Sequence, residues 1–471
     1  MDEKHHGVAQ PPSVPISEEA RDASSLEKGD AAVPANINPQ MFVVQDEKET
    51  APVEGNTSDS SSPQTLLGNE TYPEGGREAW TVVFGSFCGL FASLGIMNMI
   101  AIFQTYTAAH QLSDYSEGTI GWIFSVYTFL AFGCGIYIGP IFDKYGPRWL
   151  ILPGGIGIII SMMLMSICTQ YWHFLLVFGI LNGVCTSLLF TPCFTTVGHF
   201  FKERRGTATG LASTGGGVGG VIFPLMLNQL FPRLGWGWSV RILGFICLFL
   251  VVICNLLVHR RLPPAQNASP HPDFRIFRDR AFLLTTAGVF LLEFALFIPL
   301  AYISSYALAA GFPPSFSFTI LTILNAASIL GRCLPGLLAD VIGPFNSNII
   351  SVFITVVACL GVWLPAGHTL PGIIIFAILF GFATGNNISI TPVCVSRLCH
   401  ISNYGRYYAT CYTVVSIACL IGIPIGGAVL SACGGDYWGL ILLTGLVEVL
   451  SLIAFIAAKV VSVGWKPWVK F

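Results

Sequence analysis

Two ionisable residues interrupt long apolar runs of this sequence, and their side chains are the first candidates for chemistry. Arg332 follows Ile329-Leu330-Gly331, and Glu293 lies within Leu291-Leu292-Glu293-Phe294. A charge inside a lipid bilayer is costly, so each is by default a candidate for a functional site. The guanidinium of Arg332 suits bidentate capture of a carboxylate. The alternative is a structural strut in which Arg332 pairs with a helix carbonyl or a carboxylate.

Glu293 is the candidate for proton exchange. At 1.5 Å per helical residue it lies roughly 20 Å from Arg280, which is near the middle of a bilayer and near the depth of Arg332. Burial favours the protonated form of a carboxyl group, so Glu293 could exchange a proton near neutral pH. We therefore predict that Glu293 couples the protein to protons. The alternative is a permanently protonated glutamic acid that hydrogen-bonds a neighbouring helix.

A short motif occurs twice, each time after a long apolar run. Both copies read Gly-x3-Asp-x2-Gly-Pro, with the aspartates at Asp143 and Asp340. Two copies separated by about 197 residues indicate a duplicated membrane bundle, which is typical of secondary transporters. A second trace of duplication is Arg-x-x-Ala-Thr, which begins at Arg205 and again at Arg406.

The repeated motif predicts a gate at one membrane surface. An aspartate there can pair with arginines or with a helix N-terminus in one state and release them in another. The alternative is a loop that only fixes topology. The predicted gating residues are Gly139, Asp143, Gly146, Arg148, Gly336, Asp340, Gly343, Arg204 and Arg205.

The elements that position these residues are membrane helices. The chain is 53% hydrophobic and 10% charged, whereas soluble domains are about 25% charged. Residues 1–76 are rich in Pro, Ser, Glu and Asp and predict a disordered cytoplasmic tail. The predicted fold is all-α, with twelve transmembrane helices in two six-helix bundles, residues 77–258 and 281–471, joined by a cytoplasmic linker, 259–280. The predicted spans are 79–103, 119–142, 149–168, 172–199, 207–230, 238–258, 281–306, 316–338, 347–364, 371–395, 406–431 and 438–460.

Loop charges predict the orientation of these spans. Lys and Arg cluster on one side, whereas the opposite loops carry little beyond Arg233 and Arg241. Positive loops face the cytoplasm, so we expect both termini and the linker there. The positive side comprises Lys144, Arg148, Lys202, Arg204, Arg205, Arg260, Arg261, Arg275, Arg278, Arg280, Arg397, Arg406, Lys459, Lys466 and Lys470.

Other chemistries find little support. The fourteen cysteines lie mostly in apolar runs and include no CxxC pair, so we expect no metal. The glycine run Gly215–Gly220 lacks the Lys-Ser/Thr of a phosphate-binding loop, and its small residues favour close helix approach instead. No nucleophile–base set is visible. We expect no enzyme, no cofactor and no nucleic-acid partner.

Several motifs together resemble the major facilitator superfamily, and within it the monocarboxylate-porter-like branch. They are Glu74-Gly75-Gly76 before Trp80, the Asp143 motif, Phe200–Arg205 leading into Gly210-Leu211-Ala212, and Asn325 followed by Gly331-Arg332. The resemblance covers about residues 74–460, and the long tail is most similar to fungal members. It implies two bundles that rock about a central site. It also implies transport of a small organic solute, with protons as a coupling ion in some members.

The resemblance also implies roles for particular residues. Arg332 matches a substrate-binding arginine. Proton-linked carboxylate carriers of this branch have a lysine where this chain has Asn98, and an aspartate where it has Ser328. These two neutral residues argue against a lactate- or pyruvate-type substrate and leave Arg332 in need of a partner, either the solute or Glu293.

Further polar residues are candidates for the substrate site. Asn325 lies two helical turns before Arg332 on the same face, Asn386 and Asn387 lie mid-span, and Tyr127 carries a hydroxyl. Hydrogen bonding between helices is the alternative for each asparagine. The candidate substrate-binding set is Arg332, Asn98, Asn325, Ser328, Tyr127, Asn386 and Asn387.

The sequence therefore predicts a multi-pass transporter for a carboxylated or amphiphilic metabolite. The plasma membrane is the first expectation for its location, and a vacuolar membrane is the alternative. Export of a fungal secondary metabolite is the first expectation. Uptake of a monocarboxylate or a vitamin-like solute is the second. A nutrient sensor built on a transporter fold is the alternative from another class.

Overall fold

The computed structural model describes residues 72–261, 271, 273–466 and 469–471. These residues belong to one compact unit, Asn69–Phe471. The predicted disordered tail, apart from its last few residues from Tyr72 onward, lies outside the described residues.

Within the described residues the fold contains helices and no strands, so the predicted all-α class is confirmed. The helices are Gly76–Asn98, Ile100–Ala109, Glu117–Gly133, Gly135–Tyr145, Arg148–Met165, Tyr171–Phe174, Leu175–Asn182 (π), Gly183–Phe200, Arg205–Leu257, Phe274–Arg278 (3₁₀), Arg280–Ala309, Pro314–Ile342, Pro344–Val356, Val357–Trp363 (π), Leu364–Ala366, Leu370–Ser396, Ile401–Asn403 (3₁₀), Tyr404–Ala432 and Trp438–Val463.

Eleven helical stretches in the described part of the chain are long and apolar enough to cross a membrane. One of them, Arg205–Leu257, has 53 residues and is about 80 Å long at 1.5 Å per residue. A bilayer core is only about 30 Å thick. The backbone of Gly235 leaves the helical region there, with φ 70° and ψ 180°. The long helix therefore comprises the predicted spans 5 and 6, and the described chain makes twelve crossings.

Span 1 differs from its predicted bounds. The helix Gly76–Asn98 ends at Met99, where φ is −104° and ψ is 8°, and a second helix resumes at Ile100. Asn98 is thus the last residue before a break within the crossing. Polar groups near a helix break can reach partners on other helices.

Large apolar side chains cover the outside of this unit. Trp149 is 76% exposed, and Leu256 and Val341 are each 72% exposed. Such exposure is unfavourable in water but matches a hydrocarbon environment.

Glycines allow the helices of span 1 and span 5 to meet closely. A Cβ on Gly219 would lie 2.7 Å from the Cα of Gly95, and a Cβ on Gly215 would lie 2.2 Å from the carbonyl oxygen of Phe87. The glycine run therefore serves helix packing, as predicted.

Two helix pairs make the most extensive contacts between the first six spans and the last six. Span 2 packs along span 11, and span 5 packs along span 8. We call these contacts the 2–11 seam, on which Asp143 lies, and the 5–8 seam, on which Asp340 and Arg332 lie.

Candidate functional site

Asp143 ends span 2 and binds the beginning of span 11. Its carboxylate accepts hydrogen bonds from the backbone amides of Gly405 and Arg406, each at 2.9 Å. The helix Tyr404–Ala432 begins there, so its first amides have no partner within the helix. A carboxylate at a helix N-terminus satisfies these amides and is favoured by the helix dipole.

Asp340 makes the reciprocal contact at the 5–8 seam. Its carboxylate accepts from the backbone amides of Gly206 and Thr207, each at 2.8 Å, and from the Thr207 hydroxyl. These residues begin the helix Arg205–Leu257. Each copy of the motif therefore caps a helix of the other six-span set.

The first glycine of each motif permits this approach. A Cβ on Gly139 would lie 2.3 Å from the carbonyl oxygen of Gly405, and a Cβ on Gly336 would lie 2.6 Å from that of Gly206. Real Cβ atoms essentially never come this close to backbone. The later glycines, Gly146 and Gly343, end their helices with φ of 85° and 95°, which glycine adopts readily.

The two contacts also correct the predicted repeat. Because Asp340 binds the amide of Gly206 and Asp143 binds that of Gly405, Gly206 corresponds to Gly405. Arg205 and Arg406 therefore do not occupy equivalent positions, and the Arg-x-x-Ala-Thr match is two residues out of register.

Of the two partners predicted for these aspartates, arginines and a helix N-terminus, the described bonds go to the helix N-terminus. The Arg205 side chain donates to the carbonyls of Phe201 and Gly198, both at 2.8 Å. Arg148 begins span 3 on the exposed surface. The described bonds to Asp143 and Asp340 come from helix N-termini, because a rigid pair of amides satisfies a carboxylate at less entropic cost than a long side chain.

Glu74 holds the same end of span 5 from another direction. Its carboxylate accepts the backbone amides of Lys202, Glu203 and Arg204 at 2.7, 2.9 and 3.2 Å. The sequence marked Glu74 as part of a motif but gave it no role. Its separation from Arg204 by 130 residues hides the contact from any local pattern.

Arg332 crosses the 5–8 seam. Its side chain is 3% exposed, and its Nη1 donates to the carbonyl of Ser213 at 2.9 Å. A Cβ on Gly216 would lie 2.7 Å from this Nη1, so the glycine run makes room for the guanidinium. The Nε atom has no hydrogen-bond partner among the described residues.

Asn98 reaches the same part of span 5. Its Nδ2 donates to the carbonyl of Gly216 at 2.9 Å. Asn98 and Arg332 thus converge on neighbouring turns of one helix. Ser328 instead donates to the carbonyl of Asn325 within span 8, at 2.7 Å, and Asn325 is half-buried.

Glu293 belongs to a separate polar network within the last six spans. It is 2% exposed and accepts from Asn387 Nδ2 at 2.8 Å, while Asn387 Oδ1 accepts from the Thr391 hydroxyl at 2.6 Å. Asn386 approaches Asn348 at 3.5 Å. Glu293 bonds Asn387 and Arg332 bonds Ser213, so the structure does not bring Glu293 and Arg332 together as a pair.

A second buried carboxyl group was not predicted from the sequence. Glu448 lies in span 12 within Leu446-Val447-Glu448-Val449 and is fully buried. Its Oε2 accepts from the Thr355 hydroxyl at 3.1 Å, and its Oε1 has no partner within the described chain. The signal was available, because Glu448 interrupts an apolar run just as Glu293 does.

Tyr127 lies inside the first six spans. Its side chain is fully buried, its hydroxyl lies 3.1 Å from the Thr186 hydroxyl, and its ring stacks on Phe178 at 4.7 Å. Both of these partners lie on span 4, so these contacts of Tyr127 stay within the first six spans.

Comparison with known proteins identifies the family. The sequence profile of the Major Facilitator Superfamily matches residues 84–423. "MFS-type transporter 1" of Ophiocordyceps sp. (strain BCC 1869) is 37% identical over 88% of this chain and 92% of its own length. The "Fujikurins efflux protein" of Gibberella fujikuroi is 36% identical over 85% and 86%. "Riboflavin transporter MCH5" of Saccharomyces cerevisiae is 31% identical over 98% and 94%.

Solved structures give the same fold. The human organic anion transporter MFSD10 superposes with a TM-score of 0.64 at 16% identity, over 81% of this chain and all of that one. FucP superposes with a TM-score of 0.64 at 18% identity, over 80% and 98%. With helix bundles, reciprocal caps and relatives all in agreement, the chain belongs to the Major Facilitator Superfamily and is a membrane transporter.

Proposed function

We propose that this transporter exports a small organic metabolite by alternating access. The observation that carries the proposal is the reciprocal capping by Asp143 and Asp340, which joins the two six-span sets at one end. Opening at that end must break both contacts, and closing must remake them. The efflux names of relatives such as the Fujikurins efflux protein support the direction of transport.

The energetic scale suits a reversible gate. The two aspartates accept four backbone amide bonds and one hydroxyl bond, and a hydrogen bond to a charged group contributes about 1.5–3 kcal/mol. A solute can shift such a balance only by binding one state more tightly than the other. The capped end is then the closed gate of the state described here.

Arg332 and Asn98 are the proposed substrate-binding pair. They approach adjacent turns of span 5, and the free Nε of Arg332 offers a donor to a carboxylate or a carbonyl. Asn98 is neutral, so the pair carries one positive charge rather than two. This favours a monoanionic or neutral amphiphilic solute. The other predicted substrate-binding residues remain secondary candidates, namely Asn325, Ser328, Asn386, Asn387 and Tyr127.

Glu293 is the proposed proton-coupling residue. Its hydrogen bond to Asn387 can persist in either protonation state, because an amide can donate to a carboxylate or accept from a carboxylic acid after rotation. We further propose that the chain belongs to the monocarboxylate-porter-like branch and lies in the plasma membrane with both termini cytoplasmic. The motifs at Glu74 and Arg332 and the loop charges support these assignments.

Untargeted comparison of metabolites inside and outside producing cells, with and without this chain, tests the proposal. Export predicts that removal raises at least one intracellular metabolite and lowers the same compound outside. Restoring the wild-type chain reverses the change, whereas restoring an Asp143→Ala, Asp340→Ala variant does not. An unchanged distribution of every compound contradicts transport by this chain.

Uptake is the second candidate, because the riboflavin transporter MCH5 is 31% identical over 98% of this chain. The same experiment separates the two directions, since uptake predicts the opposite sign for the transported compound. A sensor predicts no flux in either direction when the purified chain is placed in vesicles.

A further inference from the structure

Aromatic side chains from both six-span sets pack together where span 11 meets spans 2 and 4. Tyr404, Tyr408 and Tyr412 lie four residues apart on span 11, so they share one helix face. Phe190 contacts both Tyr408 and Tyr412, with ring centroids 6.2 and 6.0 Å apart. The set, which we call the aromatic seam, consists of Phe132, Phe190, Phe194, Tyr404, Tyr408 and Tyr412.

Two hydroxyls of the aromatic seam have no hydrogen-bond partner in the described part of the chain. They belong to Tyr408, which is fully buried, and to Tyr412, which is 3% exposed. Tyr404 differs, because its hydroxyl donates to the carbonyl of Pro392 at 3.0 Å. A buried hydroxyl without a partner costs free energy that a phenylalanine at the same place avoids. The closed state therefore gives no reason for a hydroxyl at either position.

The position of the aromatic seam supplies a reason. Tyr408 lies one helical turn, and Tyr412 about 10 Å, beyond Gly405, whose amide is held by Asp143. When that contact opens, the rings of Phe190 and Phe194 must part from span 11. The two hydroxyls would then face the space that opens between the two six-span sets.

We propose that Tyr408 and Tyr412 form a solute-binding subsite for planar, conjugated compounds that carry carbonyl or phenolate oxygens. The hydroxyls donate to these oxygens, and the phenylalanine rings of the opposite bundle stack on the planar system. A compact aliphatic acid such as lactate offers no surface for this stacking. The inference rests on the proposed transport function and narrows its substrate class.

The test measures flux into vesicles that contain the purified full-length chain. Riboflavin and 2-naphthoate are the planar probes, and lactate is the compact one. The variants are Tyr408→Phe, Tyr412→Phe and the double variant, with Tyr404→Phe as the matched control on the same helix face. Each variant keeps its ring, and the reconstituted amount and thermal unfolding of each are measured beside its flux.

The subsite predicts that wild type moves a planar probe in preference to lactate. It also predicts that each single variant raises the half-saturating concentration roughly three- to tenfold at unchanged maximal rate. The Tyr404→Phe control is expected to lower thermal stability without changing that concentration. If one single variant fails to reconstitute, the other carries the test.

Three outcomes overturn the inference, and they can be told apart. An unchanged half-saturating concentration in both single variants, or a change in maximal rate alone, means that the seam is only packing. A wild-type preference for lactate contradicts the substrate class while leaving transport intact. Movement of no probe by wild type contradicts the proposed substrate class, whereas the transport proposal itself is then decided by the comparison of metabolites inside and outside cells.

Discussion

Asp143 and Gly405 are joined by a 2.9 Å hydrogen bond although 262 residues separate them. The bond links span 2 to span 11, and its counterpart between Asp340 and Gly206 links span 8 to span 5. Two equivalent contacts of this kind define a closed end that depends on two carboxylates from different halves of the sequence.

The first prediction concerns the charge of these carboxylates. Asp143→Ala removes two charge-assisted bonds and is expected to destabilise the closed end by about 3 kcal/mol. Transport in vesicles should fall at least about tenfold at equal protein content. Asp143→Asn keeps an acceptor oxygen and should lie between wild type and alanine. Asp436, on an exposed turn, provides the control Asp436→Ala, and equal flux in all four proteins contradicts the gate.

The second prediction concerns the close approach of the helices. Gly139→Ala places a methyl group 2.3 Å from the carbonyl oxygen of Gly405, so it should force the closed end apart and reduce flux as strongly as Asp143→Ala. A Cβ on Gly118, in the same span, would have no atom within 4 Å, so Gly118→Ala should leave the flux unchanged. Flux is measured for both variants at equal protein content. Unchanged flux in Gly139→Ala would contradict the close packing of spans 2 and 11.

The third prediction separates a binding role of Arg332 from a structural one. Arg332→Lys keeps the charge but loses the fork and the bond to Ser213. A binding role predicts that the half-saturating solute concentration rises at least about tenfold. A strut predicts a lower melting temperature with unchanged half-saturation. Both quantities are measured on one purified sample.

The fourth prediction concerns the two buried carboxyl groups. Glu293→Gln preserves the approximate shape of the side chain and can still bond Asn387, but it cannot exchange a proton. Flux should therefore lose its dependence on pH. Glu448→Gln, which replaces the carboxyl bonded to Thr355, is the matched control and should keep that dependence. Unchanged pH dependence in Glu293→Gln excludes Glu293 as the coupling residue.

The fifth prediction concerns Glu74. Glu74→Ala leaves the amides of Lys202, Glu203 and Arg204 without their carboxylate and should lower the stability of the folded chain by about 2–3 kcal/mol. Thermal unfolding in detergent measures this loss. Glu203→Ala, which keeps the backbone amide in place, is the control and should unfold at the wild-type temperature.

Hydrophobic runs and motif spacing predicted the twelve crossings and the duplicated aspartate motif, and they offered a helix N-terminus as one of two partners for its aspartates. These features depend on local composition and on short spacings that a linear sequence displays. The break at Met99 was not predicted, because the apolar run continues through it. The sequence left open whether Asp143 and Asp340 pair with arginines or with a helix N-terminus, since backbone donors are the same for every residue type. Glu448 was not predicted as a buried carboxyl, although it interrupts an apolar run as Glu293 does.

The other features that the sequence did not predict depend on contacts between residues that are far apart in the chain. One example is the set of hydrogen bonds from the amides of residues 202–204 to Glu74. Another is the approach of Asn98 and Arg332 to neighbouring turns of span 5. Both depend on the register between helices. Register is set by close glycine contacts such as Gly95 with Gly219. A single sequence shows which segments form helices, but it does not show which glycines of two helices meet.

Arg332 and Asp340 lie two turns apart on span 8, and their partners Ser213 and Gly206 lie two turns apart on span 5. One row of contacts between spans 5 and 8 therefore includes both the buried guanidinium of Arg332 and the Asp340 contact at the end of the helices. If Arg332 binds the solute as proposed, a solute that draws the guanidinium away from Ser213 breaks one contact of this row and weakens the row that ends at Asp340. Solute binding and opening of the closed end are then coupled directly through the contact between spans 5 and 8.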